Sequence, residues 1–331
     1  MLNLPKYGVI GHRGLLGRAI CEAARSAGDD VFALDGYRLN PHLSATVARY
    51  TGRVLFNCAG HNGGIGFTQQ HQFDIFLGNT IPAYSLICAA LEENESRPES
   101  DKLSVVMPVA SCAYPDYDYL YPDQRPGTGI CIEEEFIPTE TAPNASISPH
   151  GYAKRNVQLV CKYANEQHGI RAVTFCPPTL LGPGDRYEPD RSKIMAAMIR
   201  RFVEAVESGA NIVECWGTGQ PMRQFLYVKD AARMALLVAE SYQDCTKPLN
   251  LPGVELSVQE TAEMVARIAG YRGRIVWDRS KPDGQYRKRL DSSRFEEMFR
   301  GQYSLTPIED AVEETVKAYR NHLENVRMGH V

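Results

Sequence analysis

The sequence has little net charge and no uninterrupted apolar run of about 18 residues, the length that suggests a membrane span. Its 331 residues include 36 Lys and Arg against 40 Asp and Glu, which gives a formal net charge of −4. This balance offers no electrostatic attraction for nucleic acid or an anionic membrane, so an anionic ligand needs a local cluster of positive charge. Since an Arg-rich or hydrophobic leader is also missing, we expect a cytoplasmic protein without a nucleic acid or membrane partner.

The nine cysteines lack the paired spacing of a disulfide framework. Their odd number is typical of a protein in a reducing compartment. No Cys and His spacing indicates zinc, so we expect no metal. The chain also lacks internal repeats and long low-complexity stretches, and its length suits one large or two smaller domains with an ample core.

A glycine-rich loop follows the first predicted strand. The short apolar run Tyr7–Ile10 leads into a G-x-x-G-x-x-G pattern, and an amphipathic helix is predicted over Leu16–Ala27. Glycines let the backbone turn sharply and approach a pyrophosphate, which then faces the helix N-terminus. The pattern is weak alone, but the strand–loop–helix order predicts a dinucleotide site. Its residues are Gly11, Arg13, Gly14, Leu15 and Gly17.

The second predicted strand, Val31–Leu34, ends just before Asp35. An acidic residue about 20 positions past the glycines accepts hydrogen bonds from ribose hydroxyls. Asp35 therefore favours NAD over NADP, because it would repel a 2′-phosphate. Arg13 and Arg38 are close enough in sequence to weaken this preference, and the alternative is that Asp35 is a solvated turn residue.

Two further strands, Arg53–Asn57 and Leu103–Val109, end in loops rich in small residues. In an open parallel sheet, ligands bind at the carboxyl ends of the strands. The sequence thus predicts an α/β protein whose site is built from these loops. From them we assign Ala59 and Gly60 to the cofactor.

The later motifs extend this pattern to nearly the whole chain. They are Gly63–Gln69, Ser148–Lys154, Pro178–Asp185, Trp216–Gly219, Arg223–Val228 and Lys281–Arg289. In this order they resemble the extended short-chain dehydrogenases/reductases of the nucleotide-sugar epimerase/dehydratase family, in particular GDP-mannose 3,5-epimerase and GDP-fucose synthase.

The resemblance implies a fold, a substrate class and an assembly. The fold is a Rossmann-type doubly wound parallel sheet over residues 1–176, with 216–250 returning to it. A smaller, discontinuous α/β substrate lobe then comprises 177–215 and 251–331. The implied ligands are NAD and a nucleotide-diphosphate sugar, with GDP-linked sugars favoured. The implied assembly is a homodimer formed by helices that include the one carrying Lys154.

The family's catalytic Tyr aligns with His150 in this chain, four residues before Lys154. The resemblance implies that His150 exchanges a proton with the sugar oxygen at C4 and that Lys154 binds the nicotinamide ribose. Tyr152 is an alternative acid/base, but its fourth following residue is Asn156. Because residues four apart share a helix face and residues two apart do not, we favour His150.

Cys112 and Lys193 are candidates for moving a proton to and from a ring carbon of the sugar. The resemblance aligns Cys112 with a catalytic Cys and Lys193 with a catalytic Lys or His. A ketone at C4 makes the C3 and C5 protons acidic, and inversion needs a base on one ring face and an acid on the other. The alternatives are a buried core thiol for Cys112 and a solvated or phosphate-binding Lys193. The family has a Ser or Thr hydroxyl that binds the sugar oxygen, but the aligned residue in this chain is Ala110, and Ser111 is the candidate replacement.

Other assigned contacts follow the motifs. Arg223 aligns with an Arg that clamps the diphosphate, a task suited to a guanidinium fork. The alternative is that Arg223 is a surface residue without a ligand, and the charged residues near Arg289 have the same alternative. We assign Pro177 to the cofactor site. The residues assigned to the substrate site are Gly64, Cys112, Thr179, Lys193, Arg223 and Arg289.

The sequence therefore predicts an NAD-dependent nucleotide-sugar epimerase that acts at C3 or C5 through a C4 ketone. One alternative is a C4 reductase or dehydrogenase of a GDP-linked sugar. The other is a nucleotide-sugar-binding protein with a degenerate site.

Overall fold

The structure is a computed structural model that describes residues 6–34, 43–115, 131–132, 142–143, 147–281, 283 and 285–328. Within these residues the strands are β1 (Tyr7–Ile10), β2 (Val31–Leu34), β3 (Val54–Asn57), β4 (Ser104–Pro108), β5 (Cys131–Ile132), β6 (Ala172–Cys176), β7 (Thr179–Leu181), β8 (Ile212–Trp216), β9 (Met222–Tyr227), β10 (Leu249–Asn250), β11 (Val254–Ser257), β12 (Arg274–Asp278) and β13 (Arg287–Leu290). The α-helices are α1 (Leu15–Ser26), α2 (Leu43–Val47), α3 (Ile65–Gln70), α4 (Gln72–Asn94), α5 (Ser148–His168), α6 (Ile194–Ser208), α7 (Val228–Ser241), α8 (Val258–Ala269), α9 (Ser293–Met298) and α10 (Ile308–Arg327).

A six-stranded parallel sheet organises the larger part of the chain, in the order β10-β6-β4-β3-β1-β2. Its central strands are apolar runs buried on both faces, such as Val105–Met107 in β4. Continuous apolar runs are typical of parallel strands covered on both sides by helices. The predicted doubly wound α/β fold is confirmed. The chain reverses its direction of winding between β1 and β3, so a crevice opens at their carboxyl ends.

Helices cover both faces of this sheet. On one face, residues of α2, α4 and α5 pack with the sheet into one core, which contains Leu86 and Val157. On the other face, residues of α1, α7 and α9 form a second core, which contains Ile20, Val238 and Phe295. The helix α1 begins one residue before the predicted Leu16–Ala27 segment and ends one residue before its end.

A smaller lobe has its own sheets and its own core. One sheet has the order β11-β9-β13-β5, with β7 also paired to β9, and a second sheet pairs β12 with β8. Helices α6, α8 and α10 supply the core residues Phe202, Val265 and Val316. The segment 216–250 is divided between the lobes, because β9 joins the smaller sheet while α7 and β10 lie with the larger one.

The helix α4 is long and apolar enough to cross a membrane by length and composition alone, and 50% of its most apolar window is buried inside the protein. A core helix passes the same test. Its less buried residues include Leu77, Ile81, Tyr84 and Cys88, which follow one another at helical spacing. These four residues form an apolar stripe on α4, and α4 packs against α5.

Candidate active site

The loop between β1 and α1 is built for close backbone approach. Gly11 has a φ of +76°, and a Cβ added to it would lie 2.5 Å from the backbone nitrogen of Ala59. A Cβ at Gly17 would overlap the carbonyl oxygen of Gly11, so α1 packs directly on the loop. The N-cap Gly14 offers no side chain to the first amides of α1. These features fit the pyrophosphate of a dinucleotide at the helix N-terminus.

The other predicted cofactor residues border this crevice or lie outside the described residues. Arg13 lies in the loop before the N-cap Gly14, Leu15 is the first residue of α1, and Pro177 directly follows β6. Asp35 and Arg38, on which the choice between NAD and NADP depends, lie outside the described residues.

Lys154 on α5 reaches the same end of the sheet. It is 7% exposed, and its Nζ donates a hydrogen bond to the carbonyl oxygen of Pro108 at 3.1 Å. A Cβ at Gly60 would lie 3.9 Å from that Nζ, so Lys154 and the loop after β3 are neighbours. Burial lowers the pKa of Lys154 to about 8. Lys154 can therefore lose its charge near physiological pH.

Cys112 and His150 are in contact, although 38 residues separate them. Cys112 Sγ lies 3.2 Å from His150 Nδ1. Cys112 is in a 3₁₀ turn, Ser111–Ala113, at the end of β4, and His150 is in the first turn of α5. Burial raises the pKa of the Cys112 thiol, while burial and nearby lysines hold the pKa of His150 well below its usual value. Both side chains are therefore uncharged near neutral pH.

Three lysines from different elements lie near this pair. Lys154, Lys193 and Lys288 each act electrostatically on both Cys112 and His150. Lys193 is the N-cap residue of α6. Burial lowers the pKa of Lys288, which is in register with Arg223 across β13 and β9. The result is the local cluster of positive charge that an anionic ligand requires.

Lys288 is the residue of this cluster that the sequence did not single out. The predicted substrate contact was the next residue, Arg289, whose side chain is exposed. Successive residues of a strand point to opposite sides, so one of the two faces the site and the other faces solvent. Lys288 acts electrostatically on Cys112 and His150, whereas the side chain of Arg289 is exposed, and the role of Arg289 stays a prediction.

Arg223 is half-buried at the edge of the cluster. Its Nη1 donates to the carbonyl oxygen of Met222 at 2.7 Å. Burial lowers the pKa of Arg223, although the nearby Asp283 carboxylate opposes the shift. A guanidinium held by backbone at one end can still reach a phosphate at the other.

An aromatic and cationic stack closes another side of the site. Phe67 on α3 stacks on the ring of His61, with centroids 5.5 Å apart, and the Arg191 guanidinium lies 5.0 Å from the centroid of Phe67. A Cβ at Gly64 would lie 3.4 Å from the carbonyl oxygen of Ser192. The Gly64 loop and the segment that precedes Lys193 are therefore in contact.

The remaining assigned residues fall around the same region. Ser111 is half-buried next to Cys112, and Thr179 pairs with Phe225 between β7 and β9. Tyr152, the alternative acid/base, is 45% exposed, with the Arg155 guanidinium 6.0 Å from its ring centroid. This exposure favours His150 over Tyr152. Among the described residues, no group of three or more His, Cys, Asp and Glu is placed to hold a metal ion.

Residues 8–251 match the NAD dependent epimerase/dehydratase family. The chain belongs to this family. It is 31% identical to the probable GDP-L-fucose synthase 1 of Oryza sativa subsp. japonica, over 97% of this chain and 93% of that protein. It is 30% identical to the GDP-L-fucose synthase of Escherichia coli (strain K12), over 96% of each chain.

A solved structure of a GDP-sugar enzyme has the same fold. The GDP-L-fucose synthetase from Naegleria fowleri, bound to NADP, superposes with a TM-score of 0.79 at 22% identity, covering 99% of this chain and 96% of that chain. The expected resemblance to nucleotide-sugar enzymes of this family is confirmed. At this identity the superposition shows the fold alone.

Proposed function

We propose that this protein is an epimerase and reductase of a GDP-linked sugar that works through a ketone at C4. The observation that carries the proposal is the 3.2 Å contact between Cys112 Sγ and His150 Nδ1, with three lysines nearby. The names of the two GDP-L-fucose synthases support the substrate class, since each aligns over nearly its whole length.

Epimerisation needs proton donors and acceptors around a carbon acid. Cys112 follows β4 and Lys193 begins α6, so the two groups approach the site from different elements. We propose that they exchange protons at C3 or C5. The positive charge of Lys154 and Lys288 would stabilise the negative charge that develops on the ketone oxygen as the carbon loses its proton.

The redox step would use a nicotinamide dinucleotide held by the loop from Gly11 to Gly17. When bound, it supplies or accepts hydride at C4. Lys154 would hold its ribose, and His150 would move the proton at O4 in place of the family's Tyr. NAD remains the prediction from Asp35, but an enzyme of the same fold binds NADP, so both forms require testing.

A C4 reductase without epimerase activity is the second candidate, and Ala110 favours it. Ala110 has no hydroxyl to bond an alcohol oxygen, so the oxidation of an alcohol lacks one of the groups that the family uses. A substrate that arrives as a 4-ketone needs only hydride and one proton from His150. The two candidates differ in whether carbon-bound protons exchange with solvent.

Proton NMR in D₂O separates these functions. Purified protein is incubated with GDP-mannose and, in parallel, with its 4-keto-6-deoxy derivative, each with oxidised or reduced NAD and NADP. Loss of the C3 or C5 signal is the result expected for an epimerase. Reduction of the ketone without exchange would establish the reductase, and the absence of both reactions would overturn the proposal in favour of a binding role.

Two variants serve as controls for this assay. Cys88→Ser alters an exposed thiol on α4, and Tyr152→Phe removes the hydroxyl of the alternative acid/base. Both should retain the wild-type exchange rate. A large loss in Tyr152→Phe would transfer the acid/base role from His150 to Tyr152.

We also propose that the protein is a cytoplasmic homodimer. The stripe on α4 has a counterpart on α5, where Tyr152, Leu159 and Tyr163 follow one another at helical spacing. The two helices pack against each other. A second copy of the chain would cover both stripes with a matching pair of helices.

A further inference from the structure

The two ring nitrogens of His150 differ in their contacts. Nδ1 contacts Cys112 Sγ at 3.2 Å. Nε2 is shielded from solvent and has no hydrogen-bond partner among the described residues. Buried polar atoms are rarely left without a partner, so this unpartnered ring nitrogen, in the first turn of α5 beside the turn after β4, points to a ligand atom.

The surroundings keep both members of the pair neutral. Positive charge faces the ring from three elements, with Lys154 on α5 itself, Lys193 at the start of α6 and Lys288 on β13. These charges disfavour an imidazolium. They would favour a thiolate, but burial is the larger effect and keeps the Cys112 thiol protonated.

We propose that Cys112 and His150 form a proton relay in which the thiol donates to Nδ1 and the Nε2–H donates to the C4 carbonyl oxygen of a keto sugar. The relay rests on the proposed function for its substrate. It goes beyond that function because it couples two proton transfers. His150, the acid at O4, and Cys112, the base at the ring carbon, belong to one hydrogen-bonded pair.

The enolisation step balances without an external acid. The C–H proton next to the ketone passes to Cys112 Sγ as the original S–H proton passes to Nδ1. The Nε2–H proton passes to O4, and the C–H electron pair becomes the new carbon–carbon double bond. The product is a neutral enol beside a thiol and an imidazole whose proton has moved from Nε2 to Nδ1.

Return of a proton to the opposite ring face completes the inversion. Lys193 donates this proton to carbon, and the O4 proton returns to Nε2 as the carbonyl reforms. At the same time the Nδ1 proton returns to Cys112 Sγ, and the proton that Sγ took from carbon passes to solvent. Uptake of a proton from solvent by Lys193 restores the starting state. Because His150 stays neutral throughout, no step adds a positive charge beside the lysines.

The tautomer of His150 tests the relay without substrate or dinucleotide. Nitrogen-15 NMR of the imidazole identifies which ring nitrogen carries the proton. We expect the Nε2–H tautomer in the wild type and in Cys112→Ser, since a serine hydroxyl still donates to Nδ1. Cys112→Ala should lose this preference. An Nδ1–H tautomer in the wild-type protein would overturn the proposal.

Proton exchange from the keto sugar in D₂O, without dinucleotide, tests the relay in action. Cys112→Ala and His150→Gln should each lower the exchange rate about 100-fold, a typical effect of removing a general acid or base. The double variant should be no slower than either single variant, because each one already breaks the relay. Losses that multiply would show two independent groups and overturn the relay.

Cys112→Ser separates the relay from a structural role. It preserves the contact, but its hydroxyl is a far weaker acid than a thiol, so exchange should fall as in Cys112→Ala while the tautomer stays unchanged. Wild-type exchange in Cys112→Ser would contradict the relay. If the wild type exchanges no proton at all, the proposed substrate is wrong, and the tautomer measurement still decides the hydrogen-bonded state of the pair.

Discussion

Gly151 and Cys112 are in backbone contact at the centre of the site. A Cβ added to Gly151 would lie 2.5 Å from the carbonyl oxygen of Cys112 and 2.6 Å from Cβ of Pro143. Gly151 follows His150 directly in α5. The absence of a side chain at Gly151 therefore brings the first turn of α5 close enough for the imidazole of His150 to reach the thiol of Cys112.

The substitution Gly151→Ala should separate α5 from the Cys112 turn. We expect a loss of about 1–3 kcal/mol in the free energy of unfolding, the usual cost of overpacking a close contact. The Cys112–His150 contact and the exchange activity should weaken with it. Chemical denaturation and the D₂O assay measure the two effects.

Gly66→Ala is the matched control for this substitution. Gly66 is also helical, but a Cβ there meets nothing within 4 Å. Its replacement should leave stability unchanged or raise it by about 0.5 kcal/mol through the unfolded chain. Equal losses in both variants would mean that the contact with Cys112 has no special importance.

Dinucleotide binding should weaken as the pH rises through the pKa of Lys154. Burial lowers this pKa to about 8, so the protonated fraction, and with it the affinity, should fall about tenfold between pH 7 and pH 9. Fluorescence titration with the reduced dinucleotide at several pH values measures this. Lys154→Met should bind weakly with a flat profile over the same range, and a pH step that survives in this variant would assign the titration to another group.

Lys288 and Arg289 offer a paired test of which face of β13 meets the substrate. Lys288→Gln should lower kcat/KM about 100-fold, because it removes a cation next to the developing charge. Arg289→Gln alters an exposed side chain and should change kcat/KM less than about twofold. Steady-state kinetics of both variants decide between the sequence-based assignment and the structural one.

The apolar stripes on α4 and α5 should govern assembly. Tyr163 is 54% exposed on α5, and Tyr163→Glu would place a charge in the proposed dimer interface. We expect the variant to sediment as a monomer, while the wild type sediments as a dimer. Met298→Glu, on α9, alters an equally apolar but distant surface and should remain dimeric. A monomeric wild-type protein would refute the dimer.

Local patterns, together with the family resemblance that they carry, predicted the fold and named candidate residues for the site. The strand before Gly11, the glycines themselves and the four-residue spacing of His150 and Lys154 are all local features, and each depends on the period of a single element. The structure agrees with the strand and helix positions within about two residues, the usual uncertainty of element ends. The roles of the site residues remain predictions.

Contacts between distant elements were beyond local patterns. The approach of Cys112 to His150 depends on how α5 packs against the turn after β4, and no periodicity encodes that distance. The choice of Lys288 over Arg289 depends on the register of β13 with β9, and a shift of one residue would reverse it. Lys288, which the sequence did not single out, is therefore a residue whose position is set by strand pairing.

The stack of Phe67 against Arg191 joins the two lobes of the protein. Phe67 follows the third strand of the large sheet, and Arg191 belongs to the segment that leads into the smaller lobe. Widening of the cleft between the lobes would separate this ring from this guanidinium, along with the neighbouring contact between Gly64 and Ser192. The rate at which ligands enter and leave should then depend on these contacts, so side chains that touch no reacting atom can influence the turnover number.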